Sequence, residues 1–347
     1  MRKLSLIGCL LLLAFVLGCS NDSDAYQDVP LTVKVPENFP PMVYDLSSNP
    51  PTQKGFELGR KLFYEGRLAS DGVVSCGFCH VQSYAFTHHG HTVSHGVDNA
   101  AGKRNAPPIQ NLAYQSRFMW DGASDLLDTQ PIIPLLSEVE MNGYLPNIMQ
   151  MLKSDPTYVQ LFDQAFPGKP IDAEHMLKAL AQFMVMVTSS NSKFDHYRRH
   201  ETGGDMTAQE LNGYALFQSK CASCHATDLF TDNSFRNNGL TINPAVNDVG
   251  YYRVTQNEAD KYKFKVPSLR NVEKSGPYMH DGRFLTLEAV LNHYSSGVVN
   301  TGTLDPQLIK DGVLGIPLTS QEKTDIIAFF KTLTDNTYLT DPKFAEQ

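Results

Sequence analysis

The sequence predicts a mostly α-helical protein built from two similar lobes. Three observations carry that prediction: a Cys-x-x-Cys-His pentapeptide that occurs twice, a set of matching positions around each copy, and an apolar helical pattern closing each half.

The pentapeptides are Cys76-Gly77-Phe78-Cys79-His80 and Cys221-Ala222-Ser223-Cys224-His225. The motif fits covalent attachment of a c-type haem, in which two thiolates add to the vinyl groups and the adjacent His ligates the iron. The spacing lets both sulfurs reach one porphyrin edge while the His swings beneath the metal. A redox dithiol that happens to precede a His is the competing reading, but it needs a βαβ context absent from this sequence. Two copies therefore imply a di-haem protein, with Cys76, Cys79, Cys221 and Cys224 holding two haem c groups and His80 and His225 on the irons.

The internal repeat runs well beyond the pentapeptides. Pro107-x-Ile109-x-Asn111-Leu112 recurs as Pro267-x-Leu269-x-Asn271-Val272, and an Asp-Gly pair follows each Asn by ten residues, at Asp121-Gly122 and Asp281-Gly282. Phe118-Met119-Trp120 corresponds to Tyr278-Met279-His280, and Gly59-x-x-Leu62-Phe63 upstream corresponds to Gly213-x-x-Leu216-Phe217. Each half closes on a helical pattern, 173–187 and 319–333, the second opened by the capping box Thr319-x-x-Glu322. A helix before each haem motif and another at the end of each half describe two cytochrome-c-like helical domains, expected at 52–195 and 196–347. The stretch 191–205, with Gly203-Gly204, is the expected joint.

Residues 1–18 combine Arg2 and Lys3 with a short apolar run, the pattern of a secretory signal peptide too short to span a bilayer. Cys9 falls inside it. The residues before Cys19 resemble a bacterial lipobox, so Cys19 is the expected lipidated first residue of an exported lipoprotein, periplasmic or elsewhere in the cell envelope. Residues 19–51, polar and acidic and then Pro-rich, read as a tether and an extended arm outside the core. The four remaining cysteines all belong to the pentapeptides, which leaves none for a disulfide framework.

Formal charge is −8 for the 347 residues and becomes −10 (27 basic against 37 acidic) once Arg2 and Lys3 leave with the signal. Without a basic cluster, nucleic acid and anionic membrane surfaces are poor partners. An apolar fraction of 41% suffices for packed cores.

The chain resembles the bacterial di-haem cytochrome c peroxidase family, which includes the maturation enzyme of methylamine dehydrogenase. Beyond the paired motifs, the resemblance rests on Arg104-Asn105-Ala106-Pro107, Phe118-Met119-Trp120-Asp121-Gly122, Gln130 with Glu140-Met141, and Val266-Pro267-Ser268-Leu269-Arg270-Asn271. The last continues into Pro277-Tyr278-Met279-His280-Asp281-Gly282-Arg283-Phe284. The resemblance implies that the N-terminal haem is the peroxidatic centre. The C-terminal haem would take electrons from a small cytochrome c or cupredoxin and pass them on to hydrogen peroxide, and a homodimer is the assembly suggested.

By the same resemblance Glu140 is the distal acid–base and Gln130 the amide that orients peroxide. A proton must reach the leaving oxygen so that water departs instead of hydroxide, a service that contributes about 10²–10⁴-fold. Read alone, Glu140 is an ordinary solvated carboxylate; its place in the series Trp120, Gln130, Glu140, at intervals of ten, favours the catalytic role. Trp120, the single tryptophan, would sit between the haems on the electron path. Asn105 and the backbone around Val266 and Pro267 resemble the family's inter-domain Ca2+ site.

Ligation on the distal sides is where the pattern loosens. His95, fifteen residues past His80, is the candidate sixth ligand of the first iron, with His88, His89 and His91 beside it. For the second iron the family's Met position is occupied by His293, followed by Tyr294; Met279 is a further candidate. Met raises a haem potential, whereas His or Tyr is expected to lower it. Three activities are consistent with these residues: peroxide reduction, di-haem oxidation of a protein or small organic substrate, and non-enzymatic electron transfer. The last has no use for Gln130 and Glu140.

Overall fold

The computed structural model describes residues 28–347, so the expected leader 1–18 with Cys9, and Cys19 itself, lie outside the described residues. Among the described residues no helix is long and apolar enough to cross a membrane.

The first lobe is framed by α1 (Gln53–Phe63) and closed by α6 (Ala173–Met186). Between them come α2 (Cys76–Cys79), α3 (Ile132–Leu136), α4 (Leu145–Ser154) and α5 (Pro156–Ala165). Thr52 caps α1 by accepting from Gly55 N, and Asp172 caps α6 by accepting from His175 N, so polar side chains satisfy the free amides at both starts. The second lobe repeats the plan with α7 (Lys193–Arg198), α8 (Ala208–Lys220), α9 (Tyr252–Thr255), α10 (Leu287–Asn292) and α11 (Ser320–Lys331). The expected box at Thr319 is present: Thr319 Oγ1 accepts from Glu322 N, and Glu322 accepts from Thr319 N. Strands are short: β1 (Phe235–Arg236) pairs antiparallel with β2 (Phe264–Lys265), and β3 (Ile309–Lys310) with β4 (Val313–Leu314).

The repeat has a packing basis. α1 lies against α6 and α8 against α11. A Cβ on Gly59 would overlap the Ala179 carbonyl, and one on Gly213 the Asp325 carbonyl, so glycine is what allows each pair to approach. Phe56, Leu62, Phe63, Leu180 and Phe183 fill the first core; Phe194, Phe217, Phe230, Phe329 and Phe330 fill the second.

Two segments depart from the expected division. The arm is not outside the core: Phe39 is buried in the first core and Asn49 is buried against α6, its Nδ2 donating to the Lys178 carbonyl at 3.0 Å. Its backbone also pairs, with Val43 N and Tyr44 N both donating to Ala113 O. Chain order likewise misplaces the C-terminus. After α11, α12 (Asn336–Thr340) returns to the first lobe, where Tyr338, Leu339 and Phe344 join its core. The expected boundary after residue 195 falls inside α7, whose Phe194 belongs to the second core.

Candidate active site

Each pentapeptide ends in a fixed imidazole. Ser75 Oγ accepts from Phe78 N at 3.2 Å and starts α2, which delivers His80 at its end. His80 Nδ1 lies 2.7 Å from the Phe86 carbonyl, and His225 Nδ1 3.0 Å from the Phe230 carbonyl. A carbonyl can only accept, so Nδ1 carries the proton in both rings and Nε2 keeps its lone pair. Burial lowers both pKa values, which leaves neutral imidazoles, the form that ligates a metal.

The thiols argue against a dithiol enzyme. All four are unpaired, and burial pushes Cys76, Cys79 and Cys221 up to about 12 and raises Cys224. Reactive dithiols need the opposite shift.

Each set lines a cavity. Cys76, Cys79 and His80 open on one of about 1040 Å³ walled by Phe63, Val74, Leu112, Phe118, Leu180 and Met184. Cys221, Cys224 and His225 line another of about 200 Å³, walled by Leu269, Val272, Leu287, Leu291 and Phe330. Apolar walls, two thiols and one neutral nitrogen donor fit a covalently held haem in each lobe.

Gln130, Glu140 and Trp120 all reach the first cavity. Burial raises the Glu140 carboxyl, while a hydrogen bond from Ser137 and the Arg104 charge hold that rise back. Gln130 Nε2 donates to Met119 Sδ at 3.3 Å. Trp120 lines both cavities; its Nε1 donates to Asn105 O at 2.9 Å, and its carbonyl accepts from Lys265 N at 2.9 Å.

The proposed distal ligands separate. His95 is absent from the cavity lining, and its Nδ1 lies 3.0 Å from His91 Nδ1. His293 is also turned away, with Nε2 3.0 Å from the Asn238 carbonyl and its ring 5.5 Å from Phe284. One π turn, His293–Gly297, follows α10 and shifts the register, so that Tyr294 lines the second cavity. Burial pushes the Tyr294 hydroxyl up to about 12. Met279 lines the same cavity, its Sδ accepting from Asn238 Nδ2 at 3.4 Å. Asn105 sits between the lobes: its backbone N donates to His280 O at 2.7 Å, and Nδ2 donates to the His91 and Thr92 carbonyls.

Sequence reasoning missed Lys265. It lines both cavities, donates to Gln115 Oε1 at 2.6 Å and is lowered to about 8 by burial. Its place directly before Val266-Pro267 was the available signal. Arg104, quoted only as part of a motif, makes a two-pronged bond to Asp248 at 2.6 and 2.8 Å and an ion pair with Asp121 at 2.7 Å. Asp248 comes from the second lobe, whose 246–249 stretch covers part of the first cavity.

Two c-type haem cradles on a two-lobed helical frame define the class, a di-haem c-type cytochrome. A family profile described as di-haem cytochrome c peroxidase matches residues 53–203. The chain is 36% identical to the methylamine utilization protein MauG of Methylorubrum extorquens, over 90% of this chain and 87% of that protein. It is 33% identical to the cytochrome c551 peroxidase of Nitrosomonas europaea, over 80% and 79%. Among solved structures, a MauG-like protein associated with microbial copper homeostasis superimposes with a TM-score of 0.82 at 32% identity, covering 91% of this chain and 99% of that one. The di-haem peroxidase BthA of Burkholderia thailandensis shares the fold, with a TM-score of 0.74 at 22% identity, over 92% and 98%. The chain belongs to the di-haem cytochrome c peroxidase family, a family of oxidoreductases with two c-type haems.

Proposed function

We propose that this protein reduces hydrogen peroxide to water with electrons from a small cytochrome or cupredoxin. The observation that carries this reading is the convergence of Glu140 and Gln130 on the cavity that also holds Cys79 and His80. A haem in each cradle supplies one-electron redox chemistry, and two together match the two electrons that peroxide consumes. Cys76, Cys79 and His80 hold the peroxidatic haem; Cys221, Cys224 and His225 hold the one that receives electrons. Glu140 takes the proton from one peroxide oxygen and returns it to the other, and a carboxyl raised by burial is suited to both halves of that transfer. The Gln130 amide orients the peroxide. Trp120, exposed to both cavities, lies on the path between them.

The first site reads as open in both redox states, because His95 is engaged by His91 and not by the cavity. Steady-state peroxide consumption with an external donor, measured on fully oxidised and half-reduced protein, tests this. Equal turnover in both is expected. Turnover only after half-reduction would return a displaceable ligand such as His95, and absence of turnover would discard the peroxidase reading.

A second reading, a di-haem oxidase acting on a protein or organic substrate, is favoured by Tyr294 in the second cavity together with the likeness to MauG. Peroxide turnover with a simple external donor separates the two. A Ca2+ ion held by Asn105 and the carbonyls near Pro267 would fix the lobes; the Val266 carbonyl already accepts from Thr231 Oγ1 at 2.6 Å. Export as a lipoprotein through Cys19 rests on the sequence, and membrane association of Cys19→Ser would overturn it.

A further inference from the structure

Residues 88–95 hold a histidine cluster that neither cradle uses. The His88 ring stacks on His91 with centroids 4.2 Å apart, and His91 meets His95 edge-on at 4.9 Å. His91 Nδ1 and His95 Nδ1 are 3.0 Å apart. His88 is 6% exposed, and its Nδ1 has no hydrogen-bond partner. Such an atom is costly to bury unless something else satisfies it, and an ion is one of the few things that can.

The pair spacing is informative. Two nitrogens bonded to one ion at about 2.0–2.1 Å, at angles from square to tetrahedral, stand roughly 2.8–3.4 Å apart. His91 and His95 already meet that condition, with a shared proton where an ion would sit. Among the described residues no group of three His, Cys, Asp or Glu side chains already stands in ligation geometry. His88, stacked beside the pair, would have to turn its free nitrogen towards it. The loop backbone is held meanwhile by Asn105 Nδ2 on the His91 and Thr92 carbonyls and by Ser94 N on the Arg104 carbonyl.

We propose that His88, His91 and His95 bind one divalent transition-metal ion of the Zn2+ or Cu2+ kind, with His91 and His95 as the preset pair. Three imidazole donors select such ions over Mg2+ or Ca2+, which take oxygen ligands. On binding, the proton shared by His91 and His95 moves to a far ring nitrogen or to solvent. The ion would fasten the loop beside the first haem attachment, where the His95 carbonyl lies 3.6 Å from Cys79 Sγ. His89, stacked on Tyr84 with centroids 3.7 Å apart, takes no part.

The test uses untagged protein with both haems attached, stripped with chelator. Zn2+ is titrated by calorimetry, and Cu2+ is followed by electron paramagnetic resonance. One equivalent beyond haem iron is expected, with nitrogen hyperfine structure on Cu2+, and affinity should fall by at least about 100-fold in His91→Ala or His95→Ala. His89→Ala should bind as the parent does. Should buried His88→Ala fail to assemble, judged by its haem absorption, exposed His91→Ala still decides the matter. Absence of saturable binding, or binding that His91→Ala and His95→Ala leave unchanged, overturns the proposal. Unaltered affinity in a folded His88→Ala variant removes the third ligand. None of these readouts depends on peroxide turnover.

Discussion

Arg270 and Asp195 form an ion pair in which both side chains are fully buried, Nη1 and Nη2 lying 2.8 and 2.7 Å from the two carboxylate oxygens. Arg270 Nε also donates to the Asp228 carbonyl, and the Phe39 ring of the arm lies 4.3 Å from the guanidinium. One residue thus joins the second lobe's Val266–Asn271 motif, α7 and the arm. Burial alone would raise Asp195; the Arg270 charge and hydrogen bonds overcome it and bring the carboxyl down to about 2.

Arg270→Met should therefore be severe. It removes the two-pronged partner of a buried carboxylate and leaves it the Ser192 and Asn38 hydrogen bonds and Arg199 at 3.9 Å, a loss of roughly 3–5 kcal/mol, readable as a lower denaturant midpoint. The pH dependence has a definite sign. A depressed folded pKa contributes stability that is complete above the unfolded value of about 3.9 and disappears as pH falls towards about 2. Arg270→Met should flatten that window, and a variant with the parent's midpoint and acid profile would refute the account.

Glu140→Gln keeps the shape of the side chain and removes the proton transfer proposed for it. Peroxide turnover should drop about 10²–10⁴-fold with haem absorption intact. Because burial raises the Glu140 carboxyl, the acid limb of the parent's rate profile should lie above the ordinary carboxylate range near about 4.3. Activity needs the ionised form, so it falls as pH drops through that limb, and the variant should lack the limb. A variant with parental turnover at neutral pH would remove Glu140 from the chemistry.

The repeated Asn was legible because its task is the same in both halves. Asn111 N donates to the Val187 carbonyl at 3.0 Å and Asn271 N to the Leu333 carbonyl at 3.1 Å, so each clamps the end of its lobe's closing helix. Both adopt left-handed backbone, φ 54° and 57°, which Asn tolerates. The haem motifs were legible as local patterns with local meaning; Gln130 and Glu140 stood out only through the family resemblance, and both line the first cavity. Phe39 and Tyr338 were not: each is an isolated aromatic in a polar or Pro-rich stretch, and its burial depends on a distant partner. The choice of Tyr294 over His293 turns on one π turn, which counting residues along the sequence cannot reveal.

Gly59→Ala and Gly213→Ala test the packing half of the repeat. Helix propensity alone favours Ala by about 1 kcal/mol. Each new methyl would meet a carbonyl on the facing helix, of Ala179 or Asp325, where the backbone cannot yield cheaply. Overpacking of this kind loses about 1–3 kcal/mol, so a lower thermal midpoint is expected for both variants. A rise in either would mean that the helices separate more readily than their contact suggests.

Tyr294 and His293 make opposite predictions for the second haem. Tyr294 faces the cavity with its hydroxyl raised by burial, while His293 is held by the Asn238 carbonyl. If Tyr294 sets the sixth position, Tyr294→Met should raise that haem's midpoint potential by on the order of 0.1 V, within the ~0.8 V range that axial ligands command. His293→Gln should leave the potential and absorption spectrum nearly unchanged. Spectroelectrochemical titration of the three proteins distinguishes the cases. A potential that follows the His293 variant and ignores Tyr294 would mean that the π turn rearranges when haem is attached. The second haem would then be His-ligated, and the argument from Tyr294 for an oxidase would lose its footing.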